Sequence, residues 1–167
     1  FAVIADTHVT EEEASAIGGY DVDTVKLGAA RSAYVVRELN RLAPDFVVHL
    51  GDITHPEPGT PAYEDSAERF HSVYEALECP LYLVAGNHDI GEKAFAGEPL
   101  PPQQEQRTVN DDMIAEYERH FQAQYYSFEH QDCLFVIING MIVNSGLDCE
   151  AQQRKWLEAL LAENQGR

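Results

Sequence analysis

The 167 residues suffice for one domain with a hydrophobic core, and an apolar fraction of 44% excludes a disordered chain. Twenty-nine acidic against 11 basic residues give a formal charge of −18. That balance, with no clustered Lys or Arg, excludes long nucleic acid and anionic membrane surfaces as partners, and no apolar run approaches the roughly 20 residues of a membrane helix.

Phe1 to Ala5 reads as a short buried strand, followed by a loop to about Tyr20. From Thr24 to Leu42, apolar residues recur at helical spacing (Leu27, Ala30, Tyr34, Val35, Leu39), and Pro44 ends the helix. Phe46 to Val48 forms the centre of a second buried strand. Gly51 to Pro61 is rich in turn residues. A helix is predicted from Ala62 to Leu77, with Phe70, Val73, Tyr74 and Leu77 on one face. Leu81 to Ala85 is a third buried strand. This β-α-β-α-β alternation favours a parallel sheet covered by helices.

Gly91 to Asn110 is polar and reads as a surface insertion. Asp111 to Ala123 follows as a helix. Tyr125 to Glu129 and Cys133 to Asn139 form a strand pair around a polar turn at His130 to Asp132. Met141 to Asn144 is a candidate extra strand, and Glu150 to Ala162 an amphipathic helix carrying Trp156, Leu157, Leu160 and Leu161. Three cysteines (Cys79, Cys133, Cys149) are too few for a disulfide framework. Cys79 and Cys133, beside apolar segments, read as buried free thiols. The compartment is bounded only loosely, with the cytoplasm favoured.

Three polar clusters each follow a buried strand: Asp6-Thr7-His8, Gly51-Asp52 and Gly86-Asn87-His88-Asp89. In a parallel sheet the carboxyl ends of the strands share one edge, where ligands bind. Carboxylate, amide and imidazole donors suit Mn, Fe or Zn, and two carboxylates in one cleft call for a cation between them. Asp52, central in the order, is the natural bridge between two ions. His55 lies on the same loop as Asp52 and is a candidate substrate contact. His49, inside a strand, reads as a hydrogen-bonded core residue. His71 and His120 fall on helices and His130 in a turn.

The three clusters resemble the D-x-H, G-D and G-N-H-D blocks of calcineurin-like metallophosphoesterases, and Gln153-x-x-Trp156-Leu157 resembles a helix late in many members. The resemblance covers most of the chain. It is nearest to the single-domain phosphatases and phosphodiesterases with a G-N-H-D-I-G block. It implies a four-layer α/β/β/α sandwich, here as the amino-terminal portion of a single domain over 1–167. It implies that Asp6 and His8 bind a first metal, that Asp52 bridges two, and that Asn87 binds the second. The ions would be divalent or mixed-valence Mn, Fe or Zn. His88, oriented by Asp89, would touch the leaving group or transition state while a metal-bound hydroxide attacks phosphorus in line. Substrates would be small phosphate esters, nucleotides or phosphoproteins, with monoester and diester both open and the oligomeric state unspecified.

The family pattern continues with a further His and a G-H-x-H block, and neither occurs in this sequence. The chain also opens on Phe1 inside an apolar run and stops soon after a helix. Both ends read as cut from something longer, so weaker metal affinity is expected without those imidazoles. A non-catalytic scaffold or inactive fragment is the alternative, against which the intact Asp6, His8, Asp52, Asn87, His88 and Asp89 weigh. A nucleotide-binding α/β protein is a poor third, because both G-x-G-x-x-G and G-x-x-x-x-G-K-[ST] are missing.

Overall fold

The computed structural model describes residues 1–10, 27–93 and 107–166. Most of the predicted insertion, and the start of the helix expected from Thr24, lie outside the described residues. The elements are β1 (Ala2–Ile4), α1 (Gly28–Leu42), β2 (Val47–His49), α2 (Ala62–Tyr74), β3 (Leu81–Leu83), α3 (Asn87–Ile90), α4 (Asp111–His120), β4 (Tyr126–His130), β5 (Cys133–Ile137) and α5 (Asp148–Glu163).

β1, β2 and β3 form a parallel sheet in that order, with Ile4, His49 and Leu83 in register. The sheet therefore delivers its three following loops to one edge. β2, the central strand, is buried throughout. β1 was expected to be buried, but it is an edge strand among the described residues and leaves Val3 50% exposed. The alternation of side chains along a strand sends Phe46 and Val48 toward one face and His49 toward the other. On His49's side, Phe70 and Tyr74 of α2 stack on each other at 4.3 Å beneath its ring. Val36 of α1 and Tyr117 of α4 join the same core. On the Phe46 side lies the antiparallel pair β4–β5, seated through Phe128 and Phe135. Tyr82 and Phe128 are parallel rings 3.5 Å apart across the two sheets. The Tyr126 hydroxyl bonds the Leu83 carbonyl at 2.9 Å, a polar tie between the same layers. The layers thus follow the order helix, sheet, sheet, helix.

α5 covers the far side through Trp156, whose ring lies 5.0 Å from Tyr125. Its amphipathic face is weaker than expected: Gln153 is its one buried residue, and Leu161 is 53% exposed. Gln153 instead grips main chain, taking the Asn139 N–H at 2.7 Å and donating to the Asn139 carbonyl at 3.2 Å.

Other expectations are corrected. Met141 to Asn144 is a turn rather than a strand, because Asn139 Oδ1 accepts the Met141 N–H at 2.9 Å and Ser145 N–H returns to Ile142 O at 3.0 Å. Cys133 is exposed rather than buried, since it opens β5 at the hairpin end. Helix α1 ends in a left-handed Ala43 (φ 48°) just before Pro44. No described helix is long and apolar enough to cross a membrane.

Candidate active site

The loops after β1 and β2 continue to pair beyond the strands. Asp6 N–H donates to Gly51 O, His8 N–H to Asp52 O and Val9 N–H to Ile53 O at 2.9–3.0 Å, and His55 N–H returns to Val9 O at 3.0 Å. This zipper sets Asp6 and His8 beside Asp52 and His55. Asp6, His8 and Asp52 all hold positive φ (56°, 41° and 55°), a left-handed conformation that non-glycine residues adopt at some cost and that clusters at functional sites.

The third loop is pressed against the second. A methyl group at Gly86 would sit 2.3 Å from Asp52 Oδ1 and 2.5 Å from its main-chain nitrogen. One at Gly51, which also has φ 101°, would sit 2.5 Å from Gly86 N. The glycines of both motifs are thus demanded by backbone-to-backbone approach. The short helix α3 then presents Asn87 and His88.

Asp89 locks this junction. It is fully buried, and its carboxylate accepts the N–H groups of Ile53 at 2.8 Å, Thr54 at 3.4 Å and Gly86 at 2.8 Å. Burial pushes its carboxyl up to about 7, against the downward pull of the Gly86 and Ile53 amides. The role expected for Asp89 was orientation of His88. Its described hydrogen bonds go to main chain, while Glu57 Oε1 lies 3.6 Å from His88 Nδ1.

Donor atoms of Asp6, His8 and Asp52 lie within 4.8 Å of one another, and so do those of His8, His55 and His88. Asp52 places Oδ2 3.7 Å from His8 Nε2 and accepts the His88 main-chain N–H on Oδ1 at 3.2 Å. Asp6, Asp52, Asn87 and Gly86 line a common cleft of about 370 Å³, walled by Leu50, Val84 and Met141. Asn87 gives its side-chain N–H to Glu92 at 3.1 Å, which directs the amide oxygen away from Glu92. Oxygen and imidazole donors converging at one sheet edge, as those of Asp6, His8 and Asp52 do, fit a divalent transition metal. Burial, and then the neighbouring His88, lower the His8 pKa against the pull of Asp52. A neutral imidazole is the form that ligates.

His55 lies beside the site, 1% exposed, with its ring 5.9 Å from His88 and 6.4 Å from His8. His49 is the core residue anticipated. Its Nδ1 accepts the Gly51 N–H at 3.2 Å and its Nε2 lies 2.8 Å from Thr7 Oγ1, which donates to Ile53 O at 3.0 Å. This chain of bonds ties the first motif to the second through the core. His71 bonds the His120 carbonyl at 2.6 Å and His130 packs on Phe46 at 5.0 Å, both away from the cleft.

The sequence reading missed the charged rim. Arg107 pairs with Glu57 and lies 4.0 Å from Glu92. The one available signal was that Lys93 and Arg107 are the sole cations in the acidic stretch 91–110.

This fold, with its donor cluster at the carboxyl edge of a parallel sheet, is that of the metallophosphoesterases. A family model for calcineurin-like phosphoesterases matches residues 1–165, and the chain belongs to that family. It is similar to the serine/threonine-protein phosphatase CPPED1 of Bos taurus, 30% identical over 133 residues, which is 75% of this chain and 38% of that protein. It is also 33% identical over 107 residues to a probable cyclic nucleotide phosphodiesterase of Synechococcus, covering 59% of this chain and 38% of that one. The chain therefore spans 38% of the length of either relative. The fold matches purple acid phosphatase PPD1 of yellow lupin, with a TM-score of 0.55 at 16% identity over 96% of this chain and 27% of that one.

Proposed function

We propose that this chain contributes the amino-terminal ligands of a two-metal site that hydrolyses phosphate esters. The observation carrying this reading is the convergence of Asp6, His8 and Asp52 within 4.8 Å at the sheet edge, with Asn87 lining the same cleft. Asp6 and His8 would hold one ion and Asn87 Oδ1 the other, with Asp52 available to both. Bound divalent ions would supply water activation and neutralise charge on the attacking and leaving oxygens.

The residues themselves do the rest. Glu92 fixes the Asn87 amide so that its oxygen is available as a donor. Asp89 holds the loops of Asp52 and His88 in fixed relation through the Ile53 and Gly86 amides. His88, 95% buried beside this cluster, is placed to hydrogen-bond a phosphoryl or leaving-group oxygen. His55 walls the site and excludes water. Small phosphate esters, nucleotides and phosphoproteins all present the required group, and the names of the two relatives point to phosphoprotein and cyclic nucleotide chemistry. The test is hydrolysis of chromogenic phosphate monoesters and diesters with added Mn²⁺. Turnover abolished by EDTA and by Asp52→Asn supports the reading. Turnover that survives both sinks it.

A further inference from the structure

We propose that Glu57 is the positioning residue for His88, and that Arg107 holds Glu57 in place for that task. The catalytic part of this inference rests on the phosphoesterase reading above; the orientation of His88 does not. Three observations carry it. Glu57 Oε1 approaches His88 Nδ1 at 3.6 Å, with side-chain exposures of 16% and 6%, so water competes little for the pair. The Arg107 guanidinium bonds the same carboxylate oxygen from the solvent side. Asp89, adjacent in sequence and the obvious candidate, places both carboxylate oxygens on the amides of Gly86, Ile53 and Thr54.

A carboxylate at Nδ1 fixes which ring nitrogen carries the hydrogen and which way the ring faces. With Glu57 at Nδ1, the Nε2 edge of the ring faces away from Glu57. Such contacts are often long in the ligand-free protein and tighten in the substrate complex. Arg107 supplies the rigidity: a glutamate on the loop 56–59, rich in Pro and Gly, would otherwise sample several rotamers. Burial by itself would raise the Glu57 carboxyl, yet its own backbone amide, Arg107 and His88 bring it below the ordinary range. It therefore stands ready as an acceptor at neutral pH.

The test has two arms on the same chain. In the first, the metal-free protein is compared with Glu57→Gln by long-range proton–nitrogen NMR of the histidine rings. The hydrogen of His88 is expected on Nδ1 in the wild type, with a fall in that population in Glu57→Gln and a smaller fall in Arg107→Gln. An unchanged His88 tautomer in both variants overturns the proposal, whatever the enzyme does. In the second arm, Mn²⁺-loaded proteins hydrolyse phenyl phosphate and 4-nitrophenyl phosphate, which differ in how much their leaving groups need a hydrogen bond. Loss of a partner that orients a catalytic group costs roughly tenfold to a hundredfold. That loss is expected in kcat for phenyl phosphate in Glu57→Gln, with a much smaller loss for 4-nitrophenyl phosphate and little change in KM. Equal losses for both substrates would mark a merely structural effect and overturn the positioning role. Absence of metal-dependent turnover in the wild type would bear on the functional reading alone, leaving the NMR arm to decide on Glu57.

Discussion

Acidification should unfold the metal-free protein in part through one residue, His49. Its ring is wholly buried between the sheet and the Phe70–Tyr74 stack, with both nitrogens engaged by Gly51 and Thr7. Burial, with a smaller push from His8, drives its pKa from the ordinary 6.5 down to about 4. The unfolded chain therefore takes up a proton near pH 6.5, while the folded chain resists until about pH 4. Stability from this group is complete above 6.5 and is lost as pH falls toward 4. At about 1.4 kcal/mol per tenfold change in protonation, the whole window is worth about 3 kcal/mol. Asp89, whose carboxyl is raised, works in the opposite direction, so the comparison must be between two proteins. Urea unfolding of wild type and His49→Gln in EDTA, from pH 7.5 to 4.5, makes that comparison. His49→Gln should start less stable, through its lost hydrogen bonds, and then lose about 2–3 kcal/mol less than wild type across the range. Parallel acid slopes, or a His49 NMR titration near 6.5, would refute the reasoning.

Gly86→Ala would force a methyl into Asp52 and should cost about 1–3 kcal/mol or more, read as a drop in thermal midpoint together with weakened Mn²⁺ binding. Asp89→Ala strands three amides at the junction of the motif loops, those of Ile53 and Thr54 buried, and should cost about 3 kcal/mol or more in urea unfolding, with Asp89→Asn milder. Tyr126→Phe removes the hydroxyl that links β4 to Leu83 and should cost about 1–2 kcal/mol while leaving metal binding intact. An undiminished urea midpoint in that variant would contradict the tie between the sheets.

The sheet-edge cluster was legible because its logic is local: each polar motif follows a strand, and a parallel β-α-β-α-β order brings the strand ends together. The glycines at 51 and 86 were visible as motif letters, but their cause, the press of one loop on the other, needs coordinates. Strand β1 misled because apolar content reports burial only if a neighbour covers both faces, and Val3 lies on an edge. Met141 to Asn144 misled because its apolar residues answer to Asn139 and Glu150 side chains, which capture the backbone into a turn. The Glu57–Arg107 pair spans 50 positions and joins a turn to the far end of an insertion, a relation that no periodicity encodes. Asp89 is adjacent to His88 in sequence, which suggested a partner, whereas its carboxylate accepts the main-chain amides of Ile53, Thr54 and Gly86.

A metal pair organised around Asp52 is testable by equilibrium dialysis against Mn²⁺ with parallel electron paramagnetic resonance. Two ions per chain, magnetically coupled and both weakened in Asp52→Asn, are expected from a shared carboxylate. Ions that bind equally well to wild type and Asp52→Asn, or no Mn²⁺ retained by either, would contradict it.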